Sequence, residues 1–313
     1  MHGLALVERL TDPRRRPELE AEIATARVAD SKDPEPVRAG DAFGARPRRS
    51  TVTRDLQVPA PPDLERHVAE LDLDQVWAEL NPQMVYGKHL GMKGVVRRLA
   101  EAGDPKYLKL AAVVAELQEL GRRGAMRARA AWRFFPARAE GERLTLLDPG
   151  SGAVAAQWEF PRQTGAEGLC LADYVLAGDH VALFVTTAGE GVRERVEAWK
   201  HEGEYLKSHA FAALALETAE AAAEWLHRKL RADWGFPDPP EVGAEDRFAA
   251  RYRGKRYSFG YPACPDLAAQ RALFAALRPE EIGVRLTEGD MMDPEASVSA
   301  LVVHHPEARY FGV

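Results

Sequence analysis

His180-Val181-Ala182-Leu183-Phe184-Val185-Thr186-Thr187 runs into Ala188-Gly189-Glu190-Gly191 and then into Val192–Lys200, and the reading of this passage decides the fold. Its apolar and β-branched run suits a strand buried on both faces, and the residues after Gly191 have a helical pattern. Strand, glycine-rich turn and helix in that order could open a dinucleotide- or adenosyl-binding fold, with the ligand at the helix N-terminus. The passage lacks the third glycine and the acidic residue at a following strand end that such folds use. It reads as a plain strand–helix turn, and a Rossmann-type methyltransferase using the Gly189–Gly191 loop is the minor reading.

Upstream, Ala131–Pro136 is an aromatic strand, and Arg143–Leu147 and Ala153–Phe160 flank the hairpin signal Asp148-Pro149-Gly150-Ser151-Gly152. Helices are expected at Leu73–Leu80, Gly91–Ala102 and Tyr107–Gly121. Downstream, Tyr205–Arg231 is the longest helix; a helix at Ala268–Leu277 and strand-like stretches at Gly283–Thr287, Ser297–Val303 and Arg309–Val313 follow. Strands and helices mix without βαβ alternation. The fold class is therefore α+β: a mixed, largely antiparallel twisted sheet with flanking helices, non-Rossmann.

Around this core, residues 1–30 hold two short helical pieces, residues 31–62 a Pro-, Arg- and Asp-rich connector, and residues 63–313 one long domain. The 42 basic and 48 acidic side chains leave a net charge of −6, which disfavours nucleic acid as a partner. Two cysteines, Cys170 and Cys264, make neither a disulfide framework nor a four-thiolate zinc site. No apolar run is long enough to span a membrane, and Glu8, Arg9, Asp12 and Arg14 interrupt any secretory signal, so a cytoplasmic protein is expected.

Few candidate sites stand out. His304-His305 is a turn-flanking pair rather than a metal site, because neighbours on a strand point to opposite faces. Glu217, Glu220, Glu224 and Arg228 lie three or four apart on the long helix, which predicts a solvated face with a Glu224–Arg228 pair, although one of them could contact a ligand. Cys264 between prolines reads as a structural thiol. The segment Arg256-Tyr257-Ser258-Phe259-Gly260-Tyr261-Pro262-Ala263-Cys264-Pro265-Asp266 is different. It holds an arginine and several rings on an irregular backbone, which suits recognition of a carboxylate plus a flat ring, or equally a loop packed against the core.

That segment, with Leu286-Thr287-Glu288, Pro294-Glu295-Ala296-Ser297-Val298-Ser299 and His305-Pro306-Glu307-Ala308-Arg309-Tyr310-Phe311, resembles the C-terminal activation domain of cobalamin-dependent methionine synthase. Phe134-Phe135-Pro136-Ala137, Cys170-Leu171-Ala172-Asp173-Tyr174 and Ala219-Glu220-Ala221-Ala222-Ala223-Glu224-Trp225-Leu226-His227 extend the likeness over about residues 60–313, and the opening helices resemble the end of that family's cobalamin-binding domain.

The resemblance implies a reactivation module in methionine biosynthesis. Such a domain binds S-adenosylmethionine and positions its methyl group for reductive methylation of oxidised cobalamin, with no catalytic or metal-ligating residue of its own. Cobalamin is held mainly by a neighbouring module, and the implied partners are the cobalamin-binding domain and flavodoxin or an equivalent reductase. Methionine synthase is a 5-methyltetrahydrofolate–homocysteine methyltransferase, and this sequence shows neither its catalytic barrels nor its D-x-H-x-x-G cobalamin loop.

Residue by residue, the resemblance assigns the ligand's carboxylate to Arg256 and lines the same site with Ser258, Tyr261, Tyr310 and Phe311. It gives Glu220 the ligand's positive charge. The early acidic contact matches Asp72, with Asp74 as the substitute in register; from spacing, Asp72 is equally a helix cap. A docking module that keeps the fold and no longer binds S-adenosylmethionine is the alternative reading.

Overall fold

The computed structural model describes residues 50–163 and 167–311; the expected helices of residues 1–30 and the connector up to residue 49 lie outside them. In chain order the elements are β1 (His67–Leu71), α1 (Leu73–Trp77), a π-helical turn over Gln83–His89, α2 (Val96–Glu101), α3 (Pro105–Leu120), β2 (Ala128–Glu140), β3 (Arg143–Leu147), β4 (Val154–Glu159) and β5 (His180–Thr187). There follow α4 (Val192–His201), α5 (Tyr205–Asp233), α6 (Ala244–Phe248), β6 (Lys255–Tyr257), α7 (Gln270–Leu277), β7 (Arg285–Leu286), β8 (Met292–Asp293) and β9 (Ser297–Val303).

Seven strands form one sheet in the order β4-β3-β2-β5-β9-β6, with β1 also on β2, and every pairing is antiparallel. β7 and β8 make a separate ribbon. Among the described residues the fold is α+β without a parallel crossover, as the sequence predicts. The turn after β5 has no phosphate loop to build: a Cβ on Gly189 would stand 2.5 Å from Cβ of Pro294, so this glycine allows close packing.

Period-two alternation assigns the core. Trp132 and Phe134 of β2, Ala182 and Phe184 of β5, and Ala300 and Val302 of β9 pack under α5, while Phe135, Val181, Leu183, Val185, Leu301 and Val303 pack against α7 and the β3–β4 hairpin. A sheet covered on both faces explains why all seven residues of β9 are buried. At the hairpin tip Asp148 Oδ1 accepts from the amides of Gly150 at 3.2 Å and Ser151 at 2.9 Å, which fixes the turn.

Several elements depart from expectation. β2 runs straight through Pro136 to Glu140, because Pro136 falls between the residues that pair with β1 (Ala128–Leu71 to Trp132–His67) and those that pair with β3 from Ala137 onward. On that side of the strand no ladder bond is required of the missing N–H. Residues 309–311 are not a strand, and the stretch expected at Gly283–Thr287 pairs only through Arg285 and Leu286. Residues 50–62, read as connector, lie along the domain: Trp234 Nε1 donates to the Pro59 carbonyl at 3.1 Å, and the Thr53 carbonyl bonds to His305 Nε2 at 2.9 Å.

Candidate functional site

Where the middle of α5 passes the sheet edge at β6, a cleft of about 520 Å³ opens. α5 contributes Glu217, Glu220 and Glu224; the π-helical turn contributes Met84, Lys88 and His89; Tyr252, Arg256, Tyr261 and Tyr310 face them. Arg256 reaches this face because its cross-strand partner is Val302, whose side chain packs under α5.

The structure brings Arg256, Glu220, Tyr261 and Tyr310 together in this one cleft. Arg256 donates through Nη1 to Glu224 Oε2, and its Nη2 stands 3.8 Å from Glu220. Burial works against its charge, yet Glu224 beside it keeps the guanidinium pKa above the ordinary arginine value. Tyr261 and Tyr310 are 65% and 48% exposed, so both rings are open to a ligand. The remaining residues named by the resemblance stand elsewhere. Ser258 is half-buried, and its carbonyl accepts from the Cys264 thiol at 2.9 Å. Phe311 is buried on the α7 side against Tyr174 and Tyr257. Asp72 caps α1, accepting from the Gln75 amide at 2.9 Å, and lines a separate depression with Asp74, which pairs with Arg122 at 2.7 Å.

The solvated acidic face expected on α5 is corrected. Glu217 and Glu224 are buried, Glu217 bonding His89 Nε2 at 2.8 Å, and burial raises the Glu217 pKa. Arg228 pairs with Glu79 at 3.0 Å, where Arg247 also donates at 2.8 Å, instead of with Glu224. The partners of Glu224 and Glu217 come from 32 and 128 residues away, beyond any helical spacing rule. Sequence reasoning also passed over Tyr252, a loop residue with no periodic signal. Cys264 is the structural thiol expected: burial pushes its pKa up to about 12. His304 and His305 point to opposite sides as read, His304 toward Trp234 and Asp179, His305 toward Tyr174.

An antiparallel α+β domain with a charged, tyrosine-lined cleft midway along its long helix has the architecture of a ligand-binding module of the non-Rossmann kind. Residues 107–313 match the family described as vitamin B12 dependent methionine synthase, activation domain, and the chain belongs to that family. It is 32% identical over 295 residues to methionine synthase from Mycobacterium tuberculosis (strain ATCC 25618 / H37Rv), covering 85% of this chain and 24% of the relative. Methionine synthase from Mycobacterium leprae (strain TN) is 31% identical over 296 residues with the same coverage. The chain thus spans about a quarter of the length of these relatives. A crystal structure of the MetH reactivation domain bound to AdoHcy matches with a TM-score of 0.76 at 24% identity, covering 83% of this chain and 84% of the other, and shows the same fold.

Proposed function

We propose that this chain is the reactivation module of a cobalamin-dependent methionine synthase and binds S-adenosylmethionine in the cleft between α5, β6 and the π-helical turn. The observation that carries the reading is that the Arg256 guanidinium and the exposed rings of Tyr261 and Tyr310 line one cleft, with the exposed Glu220 3.8 Å from Arg256. The fit is chemical. A guanidinium fork takes the methionyl carboxylate, the tyrosine rings flank a flat purine, and Glu220, 56% exposed, with Glu295 beside the cleft, faces the ligand's positive charges. Asp72, Ser258 and Phe311, also assigned by the resemblance, do not line this cleft. AdoHcy on the similar reactivation domain supports the same ligand class.

S-adenosylmethionine supplies a methyl group on a positively charged sulfur. The residues of this chain bind and orient it, which is catalysis by positioning. In the same reading residues 1–30 are the end of a cobalamin-binding domain, residues 31–62 a connector and residues 63–313 the activation domain; the partners are that cobalamin-binding domain and flavodoxin or an equivalent reductase, in the cytoplasm. Among the described residues no helix is long and apolar enough to cross a membrane.

Calorimetric titration of S-adenosylmethionine into the whole chain tests the reading. Binding is expected from the unmutated chain, weakened roughly 30-fold or more in Arg256→Ala, since a charged hydrogen bond is worth about 2 kcal/mol or more. No heat from the unmutated chain, or equal affinity in the variant, sinks it.

A further inference from the structure

Through Glu224, Arg256 adjoins a second group of charges that the binding reading does not use. Glu224, His227 and Arg231 follow one another on one face of α5, all buried. Arg231 is wholly buried and clamped by Asp238, which accepts from its Nε at 2.7 Å and its Nη2 at 2.5 Å. Its guanidinium carbon lies 3.9 Å from the centre of the Tyr252 ring, and Lys255 Nζ lies 4.9 Å from the same ring. His227 stands edge-on to that ring at 5.3 Å. Tyr252 also lines the cleft, so its ring is the wall between ligand space and buried charge.

The hydrogen bonding of this group is incomplete. Six buried side-chain atoms lack a partner among the described residues, and four of them are here: Glu224 Oε1, both ring nitrogens of His227, and Arg231 Nη1. Glu224 is divided, with Oε2 on Arg256 and Oε1 3.9 Å from Arg231. The charges do not balance either. In the buried part of the group Arg231, Lys255 and Arg256 face two carboxylates, Glu224 and Asp238, while Glu220, 3.8 Å from Arg256, is 56% exposed and screened by water; burial, with the same cations nearby, keeps His227 neutral. The other titratable groups around Lys255 do not alter the count: Arg253 is exposed and leans on His304, which is held by Asp179.

We propose that Arg231, Asp238 and Lys255 are positioning residues for the cleft, forming with Glu224 a buried ion cluster one negative charge short, which an anionic group docking on Arg256 completes. This rests on the reading that Arg256 takes the ligand's carboxylate, and it explains why the cleft selects a carboxylate despite the acidic residues at its rim. A linkage follows. Burial, with Arg231 nearby, already lowers the Lys255 pKa to about 8. A carboxylate on Arg256 favours the charged amine, so the bound chain holds that proton to higher pH than the free chain. Affinity is then greatest below pH 8 and falls as the pH rises through 8.

The test is calorimetry of S-adenosylmethionine binding to the whole chain between pH 7 and 9, in buffers of different ionisation heat, for the unmutated protein and Lys255→Met. The unmutated chain should take up a fraction of a proton near pH 8 beyond that of the variant, and lose roughly 3- to 10-fold more affinity across the range. The ligand's own amine titrates equally in both, so the difference reports Lys255. A second measurement uses the unmutated chain alone: decarboxylated S-adenosylmethionine should bind without the extra proton. Equal proton uptake by the two proteins, or by the two ligands, overturns the proposal alone; no binding of S-adenosylmethionine to the unmutated chain overturns it together with the reading it rests on.

Discussion

Two buried ion clusters in this domain are built from the same side-chain types and end differently. At one, Arg162 donates to Asp173 at 2.5 Å, to Glu142 at 2.8 Å and to the Gly168 carbonyl at 2.7 Å, and Asp173 also accepts from Ser50 and Arg54. Both oxygens of Asp173 are used, and the cluster seals residues 50–54 onto the sheet domain. At the other, Glu224, His227 and Arg231 keep four atoms without a partner among the described residues, beside an open cleft. A saturated network in a low-dielectric interior fixes structure, whereas a partly satisfied one stays receptive to an incoming charge. The contrast separates a closed cluster from an open one more sharply than residue type does.

The largest effect should fall on the saturated cluster. Asp173→Asn leaves Arg162 buried without its main counter-ion and should cost about 3–5 kcal/mol, read as a lower urea midpoint; a loss under about 1 kcal/mol would erase the distinction. The open cluster should tell through acid instead. Burial, with Arg231, Arg256 and Lys255 close by, holds the His227 pKa well below 6.5, so its share of stability is full above pH 6.5 and is lost as pH falls below it. His227→Leu should therefore gain about 2 kcal/mol on the wild type at pH 5 and differ little at pH 8. Asp173 is opposed by burial but held below 3.8 by its bonds from Arg162 and Ser50, so the saturated cluster should weaken only below about pH 4. Equal acid sensitivity in His227→Leu and wild type would break this half of the comparison. The smallest effect is expected from Arg256→Ala on the unliganded chain, about 1 kcal/mol, because Arg231, already 3.9 Å from Glu224, can take over as its counter-ion.

Much of the architecture was legible because local chemistry and period agree. The strand at His180–Thr187, the strand at Ser297–Val303 and the Asp148–Gly152 hairpin stand where the sequence puts them, since apolar runs and turn residues act over a few positions. β1 was not legible: His67–Leu71 is short, half polar and defined only by its pairing with Ala128–Trp132. The candidate site divides in the same way. Arg256, Tyr261, Tyr310 and Glu220 were singled out through motif likeness, and the structure gathers them. Arg231 and Tyr252 were missed and Glu224 was read as solvated and paired with Arg228, because their importance lies in partners contributed by β6 and the loops around it.

By itself, the sequence determined an antiparallel α+β domain, the family it belongs to and the arginine at the centre of its candidate site, because turn signals, side-chain alternation and motif order are local properties. Only the tertiary structure decided which acidic residues of the long helix are buried and which are solvated. Helical spacing says which side chains share a face; only packing says whether that face meets water or the guanidinium of a distant strand.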